Sequence, residues 1–241
     1  MSEIHLETWK HAGILYKNPS CTAHLYEQEN KKYRVFCIAQ EQLQRPLIYL
    51  CMEYELLYGF YKGSFCLIEP YQEACSLADW LKEFHTIQER IIICRSLVFE
   101  IMRRKLPERL CDLTLDIYSI GITPEKDVVL FLNPNFSHLQ HPLHTTCVYR
   151  TSRLLADILS QAKETRRLHR YQNPKQYQDF VKKVAQRDYH DYAQLMNDLV
   201  HMEDAFILKK RNWSFLIRVC CIIMAGIGIL ALCGIGIYKY M

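Results

Sequence analysis

The chain of 241 residues carries 30 lysines and arginines against 26 aspartates and glutamates, a formal net charge of +4. An excess so small and scattered excludes the dense basic face that nucleic acid demands, so no nucleic-acid partner is expected. Hydrophobic residues make up 50% of the chain, enough to bury the core of one domain of ordinary size or of two closely packed lobes.

In chain order, short apolar pieces come first: Trp9 and Ile14 to Tyr16, then Ala23, Leu25 and Tyr26, then Tyr33 to Ile38. Asn18-Pro19-Ser20 and the polar hexapeptide EQENKK separate them, which predicts an antiparallel meander. Between Leu47 and Phe60 the pattern suits a short helix or another strand, and Leu47, Leu50, Tyr54, Leu57 and Tyr61 at helical spacing favour the helix. Gly63-Ser64 marks a turn, and Phe65 to Ile68 reads as a buried strand ended by Pro70. Ser76 stands where an N-cap belongs, with Asp79 three residues on, at the start of a short helix.

Ile87 to Arg104 carries apolar residues on so many sides that it predicts a core helix. The runs Ile117 to Ile122 and Val128 to Leu132 flank Thr123-Pro-Glu-Lys-Asp127, a hairpin whose Pro124 presets the turn. A loop rich in His, Pro and Thr follows over 137–146, and its His138, His141 and His144 read as polar loop residues rather than metal ligands. Helices are then predicted over Val148 to Arg167, Tyr177 to Ala185 and His190 to Phe206, with Asn173-Pro174 as a break. Lys163, Arg166, Arg167 and Arg170 form a basic patch near the end of the first of these, where it suits the helix dipole and could also meet an acidic partner or lipid.

Near the C-terminus, Val219 to Tyr238 is a run of twenty residues without a charge, flanked by Arg218 and Lys239. At about 1.5 Å per residue it matches the ~30 Å hydrocarbon core of a bilayer, so a transmembrane helix is expected. Lys209, Lys210, Arg211 and Arg218 precede the run and only Lys239 precedes the end, which places the preceding domain in the cytoplasm of a single-pass cell-membrane protein. Trp213 suits the headgroup level and the basic side chains suit anionic lipid, with the helix of 190–206 running on through the junction. The expected division is a β-rich N-lobe over 1–70, a helical C-lobe over 71–208, a basic juxtamembrane segment over 209–218, the membrane helix over 219–238 and a short extracytoplasmic tail over 239–241. Eleven cysteines without a C-x-x-C pair, mostly among apolar neighbours, read as reduced buried thiols.

A β-rich start, the segment FCLIEPYQEACSLADWL, a long helix and the hairpin DIYSIGITPEKDVVLFL give an order of parts that resembles a protein kinase domain over roughly residues 13 to 205. The groups an active kinase needs are missing. KNPSCTAHLY stands in place of the glycine-rich loop, Ile38 in place of the strand lysine, and Leu132-Asn133-Pro134 in place of the metal-binding tripeptide. The catalytic tripeptide falls on Asp112, Leu113 and Thr114 and the catalytic asparagine on Ser119, while a register two residues later brings in Asp116. The fold class implied is α+β, a degenerate protein-kinase-like two-lobed domain followed by one C-terminal transmembrane helix, with no catalysis, metal or cofactor.

AQRDYHDYAQLMNDLVHMEDAFILKKRNWSFLIRV running into the apolar stretch, together with the hairpin and LNPNF, is similar to the EssB/YukC component of bacterial type VII secretion systems. That resemblance implies a non-catalytic pseudokinase scaffold. Its partners would be membrane lipid, a membrane ATPase and small helical substrates, and a homodimer is compatible with it. The family carries an extracytoplasmic domain after the span, where this sequence has Lys239, Tyr240 and Met241. The alternatives are a membrane-anchored Ser/Thr kinase with atypical motifs, or a tail-anchored interaction protein unrelated to kinases.

Overall fold

A computed structural model describes residues 4–54, 56–133, 136, 145–171 and 173–207. The chain starts with a two-residue strand β1 (Ile4–His5) and a 3-10 turn (Leu6–Thr8), then enters the meander β2 (Lys10–Lys17), β3 (Cys21–Gln28) and β4 (Lys31–Ile38). Side-chain turn chemistry sets the first connection: the Asn18 carboxamide oxygen accepts from the N–H groups of Ser20 and Cys21 at 2.8 and 2.7 Å. At the second, Glu29 and Asn30 both take positive φ, 51° and 61°, which matches the right-handed twist of the flanking strands. The expected meander is present, in unbroken register from Cys21↔Ile38 to Gln28↔Lys31 across the second pair.

The segment expected to be one helix divides. Helix α1 begins earlier, at Glu41, and ends at Glu53, while Tyr58–Tyr61 is strand β5. Leu43, Leu47 and Cys51, four residues apart, bury the inner face of α1, whereas the YGFY segment gains a hydrogen-bonded partner in β6 (Ser64–Pro70) through the Lys62-Gly63 turn. The completed sheet runs β1-β5-β6-β4-β3-β2, leaving β2 at one edge with Ile14, Leu15 and Tyr16 exposed.

Beyond the sheet, β7 (Cys75–Ser76) leads into α2 (Leu77–Trp80), capped as expected by Ser76, whose hydroxyl accepts from the Asp79 N–H at 3.1 Å. Helix α3 spans Ile87–Arg104 and starts with a reciprocal capping box between Thr86 and Glu89. It is not apolar-buried all round, because Ile92, Phe99 and Met102 are exposed. Helix α4 (Glu108–Thr114) occupies the stretch where the kinase resemblance puts a catalytic loop. The hairpin forms, as the short strands β8 (Ile120–Ile122) and β9 (Val128–Leu130), and β7 adds a third strand to it.

Helix α5 runs from Cys147 to Ser160 and stops, and a separate 3-10 segment covers Glu164–Arg170 with a kink at Arg167 (φ −129°, ψ 36°). The helix expected to reach Arg167 is therefore corrected, and the basic patch gains nothing from an α-helical dipole. Pro174 starts α6 (Pro174–Gln186) rather than only breaking the chain, since its missing N–H costs nothing in the first turn. Asp191 caps α7 (Tyr192–Ala205) by accepting from the Gln194 N–H at 2.8 Å.

Three apolar clusters hold these elements. One lies within the N-terminal sheet around Leu6, Trp9, Val35 and Ile68, and a large one joins α3, α5, α6, α7 and the hairpin. The third crosses between them: Phe36, Ile38, Leu43, Leu47 and Phe65 pack with Leu110, Leu113, Leu132 and Phe136. The expected fold class, which ended in a transmembrane helix, is corrected. The structure is an α+β fold, a β-sheet region followed by helices, and among the described residues no helix is long and apolar enough to cross a membrane. The run Val219 to Tyr238 lies outside the described residues, and α7 ends at Ala205 rather than being seen to run on.

Candidate functional site

Strand alternation aims Arg34 of β4 and Glu69 of β6 at one another, since the two are directly opposed in the antiparallel ladder. Their side chains are largely buried and lie 3.3 Å apart, within ion-pair distance but without hydrogen-bond alignment. The Arg34 guanidinium sits 4.3 Å from the centre of the Phe131 ring and 5.6 Å from that of Phe36. Phe131 stacks in turn on Tyr71, with ring centres 6.4 Å apart. The second carboxylate oxygen of Glu69 accepts from the Leu132 N–H at 3.3 Å. Burial raises the Glu69 carboxyl to about 7 despite the opposing pull of Arg34, because a carboxylate without solvent loses more hydration than one neighbouring cation returns.

Above this pair lies an open cleft of about 440 Å³. Its walls are Leu15 and Tyr16 of the edge strand, Ala23, Arg34, Phe36 and Tyr71 on one side and Asp116, Tyr118, Ser119 and Asn133 on the other. Of the positions that the kinase resemblance singles out, the fold brings Asp116, Ser119 and Asn133 together here. Asp116 shapes the turn: its side chain accepts from the Tyr118 N–H at 2.7 Å and its carbonyl from the Ser119 N–H at 2.8 Å. Ser119 is buried and its carbonyl accepts from the Phe131 N–H at 2.8 Å, while the Asn133 N–H donates to the Leu113 carbonyl at 3.1 Å.

The other singled-out positions lie elsewhere. Ile38, at the end of β4, is fully buried in the cluster beneath α1. Asp112 sits within α4, buried and paired with Arg150 of α5, and does not line the cleft. Leu132 is buried in the crossing cluster. Arg34, Glu69, Phe131 and Tyr71 were not singled out from the sequence. The signal available was a charge inside each of two apolar strands, YRVFC and CLIEP, which strand burial permits only when the charges meet.

Lys163, at the start of the 3-10 segment, and Arg166, Arg167 and Arg170 within it are exposed. Lys209, Lys210, Arg211, Trp213 and Arg218 lie outside the described residues, as do His138, His141 and His144. Among the described residues, no group of three His, Cys, Asp or Glu side chains is placed to hold a metal ion. Fold and cleft together define an α+β protein with an open cleft, one wall of which, at Arg34 and Tyr71, belongs to an internal ion pair and an aromatic stack. Compared with protein-family models and with curated proteins, the chain matches none.

Proposed function

We propose that the chain is a non-catalytic docking protein working at the cytoplasmic face of a cell membrane, as a scaffold component of a type VII secretion machine. The observation that carries the non-catalytic part is the use made of the chemistry-bearing positions that the cleft and the kinase resemblance single out. Arg34 is paired with Glu69, Asp116 holds a turn, and Asp112 is tied to Arg150. A phosphoryl-transfer site needs a cation free for phosphate and a carboxylate free for a metal, and each such group here is already engaged by the fold. The uncharged run Val219 to Tyr238 and the basic residues before it support the membrane location. The resemblance of the segment from Ala185 to Val219 supports the secretion machine, with a membrane ATPase and small helical proteins as partners.

Two measurements test this reading. Saturating Mg-ATP should leave the melting temperature of the purified chain unchanged, because a ligand at 100 times its Kd adds about 2.7 kcal/mol to the native state. A magnesium-dependent rise refutes the non-catalytic reading. Affinity purification from solubilised membranes should recover a membrane ATPase with small helical secreted proteins, and recovery of the chain alone counts against the secretion role.

A further inference from the structure

We propose that the exposed segment Lys163–Arg170 docks flat against anionic lipid headgroups, so that the folded domain lies on the bilayer surface. This rests on the membrane location proposed above. Four cations occupy eight positions here, Lys163, Arg166, Arg167 and Arg170, all exposed. Among the described residues none of the four is in an ion pair with a carboxylate. The single acid of the segment, Glu164, is turned inward: its Oε2 is buried, and its charge is felt by Arg90 and Tyr171. Among the described residues, no carboxylate within ion-pair distance balances the outward charge. Beside it stands Phe84, 66% exposed, with the Lys163 ammonium 4.6 Å from its ring centre. An exposed aromatic ring under a cation suits the boundary between headgroups and acyl chains.

Position in the fold selects lipid over an acidic polypeptide. Tyr171, which follows the last of the four cations, packs edge-on against Phe206 with ring centres 5.4 Å apart, and Phe206 also meets Tyr177 at 5.6 Å. The described chain thus leaves the fold beside Arg170. Its sequence continues into Lys209-Lys210-Arg211 and then the uncharged run from Val219. An extended chain covers at most about 3.6 Å per residue, so positions three to five past Phe206 can lie no farther than roughly 11–18 Å from it. A membrane bound through the uncharged run would bring anionic headgroups within reach of the basic segment.

The test reconstitutes the full chain into vesicles of phosphatidylcholine, alone or mixed with phosphatidylserine, and follows amide hydrogen exchange. Residues 163–170 and the peptide containing Phe84 should exchange more slowly only on the phosphatidylserine vesicles, and the protection should vanish in high salt. At about fivefold in surface affinity per cation, the variant Lys163→Gln, Arg166→Gln, Arg167→Gln, Arg170→Gln should lose that protection while keeping its melting temperature. The salt series on the unaltered chain gives the same answer independently of how the variant folds. Vesicle association with segment 163–170 equally exposed on both lipids overturns the docking surface and leaves the membrane location standing. Failure to associate with either vesicle overturns both. Protection of the segment by soluble polyglutamate but not by phosphatidylserine assigns the surface to an acidic protein and overturns the lipid reading.

Discussion

Glu69 offers the sharpest test of how the cleft is held together. Its carboxyl is raised from an ordinary 4.5 to about 7, first by burial, with Arg34, the Leu132 N–H and Arg104 pulling the other way. Because the folded state holds its proton more tightly than the unfolded chain, stability attributable to Glu69 is fully present below pH 4.5 and is lost as pH rises to about 7. At 1.36 kcal/mol per unit, the loss across that window is about 3 kcal/mol. Glu69→Gln keeps a carbonyl oxygen for the Leu132 N–H and removes the titration. The variant should match the parent near pH 4.5 and exceed it by about 3 kcal/mol at pH 8. Urea unfolding of both proteins in steps from pH 4.5 to 8, followed by tryptophan fluorescence, reads the difference directly. His24, lowered by burial and by His11, gains stability as pH rises through the same region, but it is common to both proteins and cancels. A variant less stable than the parent at pH 8, by a margin that grows with pH, would mean that attraction to Arg34 outweighs desolvation and that the account of the buried pair is wrong.

Three further outcomes follow from local geometry. Thr86→Ala removes the hydroxyl that accepts from the Glu89 N–H and should cost about 1 kcal/mol in unfolding free energy, read as a lower urea midpoint with unchanged slope. Gly121→Ala places a Cβ 2.8 Å from both the Ala74 Cβ and the Phe131 Cε2, and overpacking of that kind should cost about 1–3 kcal/mol; a variant as stable as the parent refutes the tight fit. In peptide mapping after brief iodoacetamide treatment at pH 8, Cys75, exposed, should label quickly. Cys21 and Cys51, both pushed up to about 12 by burial, should stay unlabelled until the protein unfolds.

What the sequence alone determined lies where the cause is local. Ser76 and Asp79 announce the cap of α2, the bounds Ile87 and Arg104 of α3 follow from periodicity, and the Thr86 and Glu89 box that starts α3 is an equally local signal. Asn18-Pro19 and the Glu29-Asn30 turn delimit the meander by their own backbone preferences. Phe65 to Ile68 reads as a strand because every residue in it is apolar, and the structure buries all of them.

Tertiary structure decided the rest, because partners distant in the chain supply the energy. Tyr58–Tyr61 has helical spacing with α1, yet pairing with β6 outweighs periodicity and makes it a strand. Leu110 and Leu113 pack under the sheet, so the stretch expected to be a catalytic loop is a helix. The apolar pattern from Val148 continues toward Arg167, but the chain turns after Ser160 and again at Arg167, and no periodicity records that. Phe206 folds onto Tyr171 and Tyr177, which sets the exit of the chain beside the basic segment. Arg34 and Glu69 are 35 positions apart, and only the antiparallel register of β4 and β6 turns two isolated charges into one buried pair.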